Sequence, residues 1–575
     1  MTEDTTNEQD PRDPQGSERE PEAQKPSAFG MSRRGFLATS SRLAMAALAG
    51  SAVGVGSDTN LAHAFRSPKG DGAQRRNEAF QVRQQAAAAQ HQLPVIPHPT
   101  NGDDDRYHNK IASYTKGLPH NQLGEVDLSA YDQLIKALNS ERAGDFEAIT
   151  MGCPGQRKLV CPQAGVAFDL EGTDCQQLFM PPAPVFNSAE RAAEAVELYW
   201  MALTRDVPFH SYASDPTAGA AAQELSGLAG FTGPKQGGSV TADTLFRGAT
   251  PGDLTGPYIS QFLYKEAKFG VQVLSQKFAT YRPGDEFMTT YADWLAIQNG
   301  CLPTASRQFG PTRYILTGRD LATYVHTDVS YQAYLNACLI LLGMGAPLNP
   351  GNPYRGSQTQ VGHSTFGTPH IMTLVAEVAT RALKAVWFQK WYVHRLLRPE
   401  TFGGRLHNVM VNGAGYPIHA QALNSVAVQT MQRRYGIYLL PQAYPEGSPT
   451  HPSYAAGHAA IAGACATILK AFFDETFIFS ERNPPVIPSE DGSTLQTYVG
   501  PGAGQMTVGG ELNKLAANIS NGRNFAGIHW RKDFVEGAKL GEAVAISLLR
   551  DQRNTFNEPF SGFTFTKFDG TQITV

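Results

Sequence analysis

Three short stretches hold the residue types and spacings most able to act together. QKWYVHRLLRPE carries Lys390 and Arg398 eight positions apart. THPSYAAGH sets His451 seven residues before His458, with Gly457 beside His458. NGRNFAGIHWRKDF spaces Arg523 and His529 six apart and puts Asp533 four beyond His529. On one helix Lys390 and Arg398 lie two turns apart, about 80° from each other at roughly 100° per residue. A helix opening near Ala456 turns its first N–H groups outward, and Gly457 lets an anion come against the backbone. With a helix start near His529, Asp533 reaches the second ring nitrogen, fixing the tautomer and raising basicity. Singly, each stretch has an ordinary reading: cations complementing a helix C-terminus, a capped helix with a surface histidine, a structural histidine. Together they supply one Lys, two Arg, a helix N-terminus and two His. That is a site for a multiply charged oxyanion, with one imidazole bonding the central atom and the other moving a proton.

The elements that must position these residues read as helices. NSAERAAEAVELYWMALTRD opens with Asn187 and Glu190 at capping-box spacing, then sets Val196, Tyr199, Trp200 and Leu203 on one stripe. Residues 321–343 read as one long, nearly all-apolar helix, and residues 371–397 as another that Pro399 helps to end at Arg398. Further helices are expected over 457–473, 508–522 and 533–549, joined by Gly/Pro-rich connections. Strand signals are few, the clearest being FTFTKFDGTQITV at the C-terminus. The expected fold is mainly α: helical bundles, as two four-helix-bundle-like units, with long loops and a few short strands.

The chain has 575 residues, of which 41% are hydrophobic and 17% charged, enough to build a large core. A net charge of −4 gives no electrostatic case for nucleic acid as a partner. Residues 1–30 are polar and Pro-rich, a composition that buries no core. Residues 31–64 read as a twin-arginine export signal: Arg33 and Arg34, then Phe36 and Leu37, a weakly apolar run too short for a stable membrane span, and Ala62-His63-Ala64 as cleavage site. The mature chain is expected to start near Phe65, in the bacterial periplasm or outside the cell, with an extended arm over 65–120 and the catalytic body over 121–575. Of the six cysteines, Cys153, Cys161 and Cys175 lie close in sequence, while Cys338 and Cys465 sit in apolar helical runs as buried thiols. No CxxC pair supports a zinc or thioredoxin-like site.

The combined pattern, K-x7-RP, then a P-S-G-H-like turn, then R-x5-H-x3-D, resembles that of the vanadium-dependent haloperoxidases, whose core is shared with the phosphatidic-acid-phosphatase-like acid phosphatases. LVCPQAGVAFDLEG, VELYWMALTRDVPF and SPTHPS resemble the algal and bacterial bromoperoxidase branch, and the resemblance covers nearly all of the mature chain. It implies vanadate as cofactor, its equatorial oxygens held by Lys390, Arg398, Arg523 and the Gly457 N–H. It implies His529 as the vanadium ligand, Asp533 as its orienting carboxylate, and His458 as the residue that takes the proton of incoming hydrogen peroxide. Lys390 is also expected to polarise bound peroxide. His451 falls where bromoperoxidases carry His and chloroperoxidases an aromatic, and is expected to tune halide oxidation. Asp328, on the long helix upstream of Lys390, is expected to orient Arg523. The implied partners are hydrogen peroxide, a halide (bromide or iodide, with chloride open), an organic acceptor, and further copies of the chain in a homo-oligomer.

Two residues depart from that pattern, Ala455 in place of Pro, which slackens the turn, and Ala456 in place of Ser. The family turn is P-S-G-H, and here it is Ala455-Ala456-Gly457-His458. Ala456 stands where a serine hydroxyl would donate, and one such bond to a charged group is worth about 1.5–3 kcal/mol. Three other readings of the same residues stay open. One is an acid phosphatase with His529 as nucleophile and His458 as general acid. The others are a vanadium-independent acid–base catalyst and a non-catalytic oxyanion-binding protein.

Overall fold

The computed structural model describes residues 72–480 and 482–575, so the polar N-terminal region and the export segment expected from the sequence lie outside the described residues. Eight helices carry or back the site. They are α1 (Ala189–Leu203), α2 (Gly318–Thr327), α3 (Gln332–Gly343), α4 (Thr368–Phe388), α5 (Pro399–Asn412), α6 (Gly457–Phe472), α7 (Val508–Phe525) and α8 (Arg531–Arg553).

α6 is the centre. Its sequence, GHAAIAGACATILKAF, is mostly apolar, and every residue of it is buried. Small residues set how close its neighbours come: a Cβ on Gly463 would lie 1.9 Å from the Ala538 carbonyl oxygen, and one on Gly541 would lie 1.9 Å from that of Ala460. α4, α7 and α8 pack around α6, and α2 lies against α7, whose residues are likewise all buried. The expected mainly α architecture is the one found. The strands among the described residues form two-stranded antiparallel pairs, including the C-terminal hairpin Thr564–Thr566 with Gln572–Thr574. No helix among the described residues is long and apolar enough to cross a membrane.

Three local expectations are corrected. Residues 321–343 are two helices: α2 stops at Thr327, Asp328 is extended (φ −66°, ψ 150°), and α3 restarts at Gln332. The intervening Asp328, Val329, Ser330 and Tyr331 are weak helix formers. Lys390 and Arg398 do not share a helix. α4 gives way to a π turn, Gln389–His394, which contains Lys390; Arg395 is left-handed at φ 40°, and Arg398 is extended (φ −84°, ψ 156°) as the N-cap of α5. Pro399 enforces that geometry on Arg398 and then starts the next helix. The N-cap of α1 is Ser188, whose side chain accepts the Arg191 N–H, and not Asn187. Within the stretch read as an arm, Ile111, Tyr114, Lys116 and Leu118 are buried. The arm's helix, Gly72–His91, has no buried residue.

Cys153 pairs with Cys301, while Cys338 and Cys465 are buried free thiols. Burial pushes their thiols up, to about 12 for Cys338.

Candidate active site

The π turn, the α5 N-cap, the α6 N-terminus and the segment leading into α8 meet at one place. Lys390 is fully buried, and its Nζ donates to the carbonyls of Pro452 (2.7 Å) and Ser453 (3.0 Å), in the loop that leads into α6. Arg398, equally buried, donates through Nε to the His451 carbonyl (2.9 Å) and through Nη1 to that of Ile528 (3.0 Å). Its Nη1 also lies 2.8 Å from His529 Nε2, and its Nη2 lies 3.0 Å from His451 Nδ1.

These contacts settle a tautomer. A guanidinium only donates, so His529 Nε2 accepts and the ring proton sits on Nδ1. Nδ1 donates to Asp533 Oδ2 at 2.6 Å, in the i,i+4 relation expected from the sequence. Asp533 is the third residue of α8, and the same oxygen accepts from Ser453 Oγ (2.5 Å) and the Trp530 N–H (3.2 Å). Burial, then Arg398, Lys390 and Arg523, hold the His529 pKa well below the imidazole range, so the ring stays neutral. Burial, Lys390 and Arg398 do the same to His451. Burial lowers Arg398 to about 10, which leaves it charged at neutral pH.

His458 sits on the first turn of α6, and its Nε2 meets Asp328 Oδ1 at 2.9 Å. Asp328 thus meets His458, a partnership the sequence did not suggest, and the Arg523 guanidinium donates through Nη1 to the Val325 carbonyl at 2.7 Å and stands over the Tyr444 ring. The break between α2 and α3 makes this possible, because an extended Asp328 leaves the helix axis toward α6. Lys390, Arg398, His451, Gly457, His458, Arg523, His529 and Asp533 are thus brought to one buried cradle. Sequence reasoning missed two members. Ser453 shares the Asp533 carboxylate, and Trp387 packs on the His451 ring with centroids 4.7 Å apart. Trp387 was in reach of a helical argument, since it precedes Lys390 by three residues on the same face.

Comparison with known proteins places the chain. Residues 370–558 match the family model described as the VCPO second helical-bundle domain. The chain is 37% identical, over 596 aligned positions, to the vanadium-dependent bromoperoxidase of Corallina pilulifera, a match covering 87% of this chain and 98% of that one. The chain belongs to the vanadium-dependent haloperoxidase family, in its bromoperoxidase branch. A further vanadium-dependent bromoperoxidase, from Ascophyllum nodosum, is 36% identical and matches 87% of this chain and 92% of its own. The second vanadate-dependent bromoperoxidase of Ascophyllum nodosum, solved as a homohexamer, superposes with a TM-score of 0.83 at 31% identity, covering 91% of this chain and 93% of that one. In this haloperoxidase-family chain the α6 N-cap is Ala456. Ala456 offers no side-chain cap, and its N–H donates to the Asp533 carbonyl at 3.2 Å.

Proposed function

We propose that this chain binds vanadate on His529 and uses hydrogen peroxide to oxidise bromide or iodide to a hypohalous-acid equivalent, which halogenates an organic acceptor. The observation that carries this reading is the His529 imidazole, neutral, with its proton committed to Asp533 and its Nε2 lone pair turned toward Arg398. Such a lone pair suits a metal centre, and the charged groups of Lys390, Arg398 and Arg523 suit an oxyanion's oxygens, so the residues present fit vanadate. When bound, vanadate supplies a Lewis acid that activates peroxide without changing oxidation state.

The chain's own residues do the rest. Lys390 and Arg398 are pinned by backbone carbonyls, which fixes their charged heads before any ligand arrives. His458, whose Nε2 donates to Asp328, takes the proton of incoming peroxide. Asp328 then stabilises the imidazolium and returns the ring to the same orientation. His451, packed on Trp387, forms the wall against which halide selectivity is set.

A vanadate titration of the apoprotein, with peroxide, bromide and a dione reporter, tests the reading. Halogenation should rise with vanadate and saturate. Phosphate-ester hydrolysis that vanadate inhibits, with no halogenation, would favour the phosphatase reading instead. The homohexameric relative supports a homo-oligomer, which light scattering of the purified chain would measure. Export through the twin-arginine route to the periplasm or beyond is part of the same proposal. The Cys153–Cys301 disulfide supports an oxidising compartment, and fractionation of cells carrying an Arg33→Lys/Arg34→Lys variant tests it.

A further inference from the structure

Glu400 lies two residues after Arg398, on the first turn of α5, and is 1% exposed. A buried carboxylate that close is the natural counter-ion for the guanidinium, and such a pair would take up the charge and N–H groups an oxyanion needs. Glu400 does not make that pair. Its Oε1 accepts from Lys116 Nζ (2.6 Å), Ser448 Oγ (2.8 Å) and Gln298 Nε2 (3.2 Å), and its Oε2 accepts the Ser448 N–H (2.7 Å). Arg398 is left with carbonyl and imidazole acceptors and, among the described residues, no carboxylate within ion-pair distance.

Lys116 is also 1% exposed and reaches Glu400 across 284 residues of chain. Its remaining N–H groups go to the carbonyls of Ser448 (2.5 Å) and Glu446 (2.9 Å). Those residues immediately precede His451, Pro452 and Ser453, the residues that hold Arg398 and Lys390. One ammonium therefore neutralises the acid that follows Arg398 by two residues and ties down the loop that Arg398 and Lys390 grip.

We infer that Lys116 is a positioning residue for the oxyanion cradle: it sequesters Glu400, so that the Arg398 charge stays free of a carboxylate ion pair for the bound oxyanion. This rests on the proposed function, because the oxyanion is what Arg398 is kept for.

Calorimetric titration of the full-length apoprotein with orthovanadate, and separately with inorganic phosphate, tests it without any turnover. Lys116→Met should weaken both by about tenfold or more, as loss of supporting partners does at metal sites. The double variant Lys116→Met/Glu400→Gln, which removes both charges, should recover binding to within about threefold of wild type. Glu400→Gln alone should bind at least as tightly as wild type. A role in packing alone gives the opposite order, since the double variant loses two members of one network. Equal binding by wild type and Lys116→Met, or a double variant no better than Lys116→Met, overturns the inference. If Lys116→Met does not fold, Glu400→Gln decides, and a tenfold loss there overturns it. A wild type that binds no vanadate sinks the proposed function and this inference together; vanadate binding by wild type with either failure above sinks the inference alone.

Discussion

At Ala456 this chain lacks the hydroxyl of the turn its resemblance implies. The position is the N-cap of α6, beside Gly457 and His458, and it has no side-chain donor to give. A hydroxyl there would add a hydrogen bond to a charged group, worth about 1.5–3 kcal/mol, or about tenfold or more in affinity. Ala456→Ser should therefore lower the vanadate dissociation constant by at least that factor, measured calorimetrically on the apoprotein. Most of the cradle was legible at this scale. Lys390, Arg398, His451, His458, Arg523, His529 and Asp533 stand out by type and spacing, and Asp533 meets His529 as an i,i+4 pair should. Asp328 was legible only as a nearby acid, because its contact with His458 depends on a helix break that apolar periodicity hides.

Elements place those residues through close packing and through irregularity. The crossing of α6 and α8 has no room for a side chain at Gly541, where a Cβ would stand 1.9 Å from a backbone oxygen. Gly541→Ala must push the helices apart, and an overpacking cost of about 1–3 kcal/mol is expected in urea denaturation. The π turn Gln389–His394 does the opposite service, widening the helix so that Lys390 points at the loop before α6. It also buries His394, whose pKa burial, then His98 and Arg395, bring from 6.5 to about 3. The unfolded chain takes up this proton first. The His394 contribution is thus complete above pH 6.5 and drains as pH falls toward 3, at about 1.4 kcal/mol per unit. His394→Gln should gain about 2 kcal/mol on wild type between pH 6.5 and pH 5, read as the change in the difference of their urea-unfolding free energies.

Over the whole molecule, contacts distant in sequence hold the frame. The Cys153–Cys301 bridge spans 148 residues, and closing so long a loop restricts the unfolded chain. Replacing both cysteines by serine should cost about 2–5 kcal/mol, again by urea denaturation, with the mainly α circular dichroism spectrum retained. The sequence by itself determined the mainly α class, the helices around residues 457–473, 508–522 and 533–549, the oxyanion-binding residue set and the family resemblance. All of these rest on composition, periodicity and short spacings, which local sterics and solvent exposure write directly into the chain. Only the tertiary structure decided that Asp328 serves His458, that Lys390 and Arg398 belong to different helices, and that Lys116 takes Glu400. Those partnerships join groups across breaks in helices or across hundreds of residues. They are set by which buried charge finds which counter-charge once the core has closed, and no local pattern records that outcome.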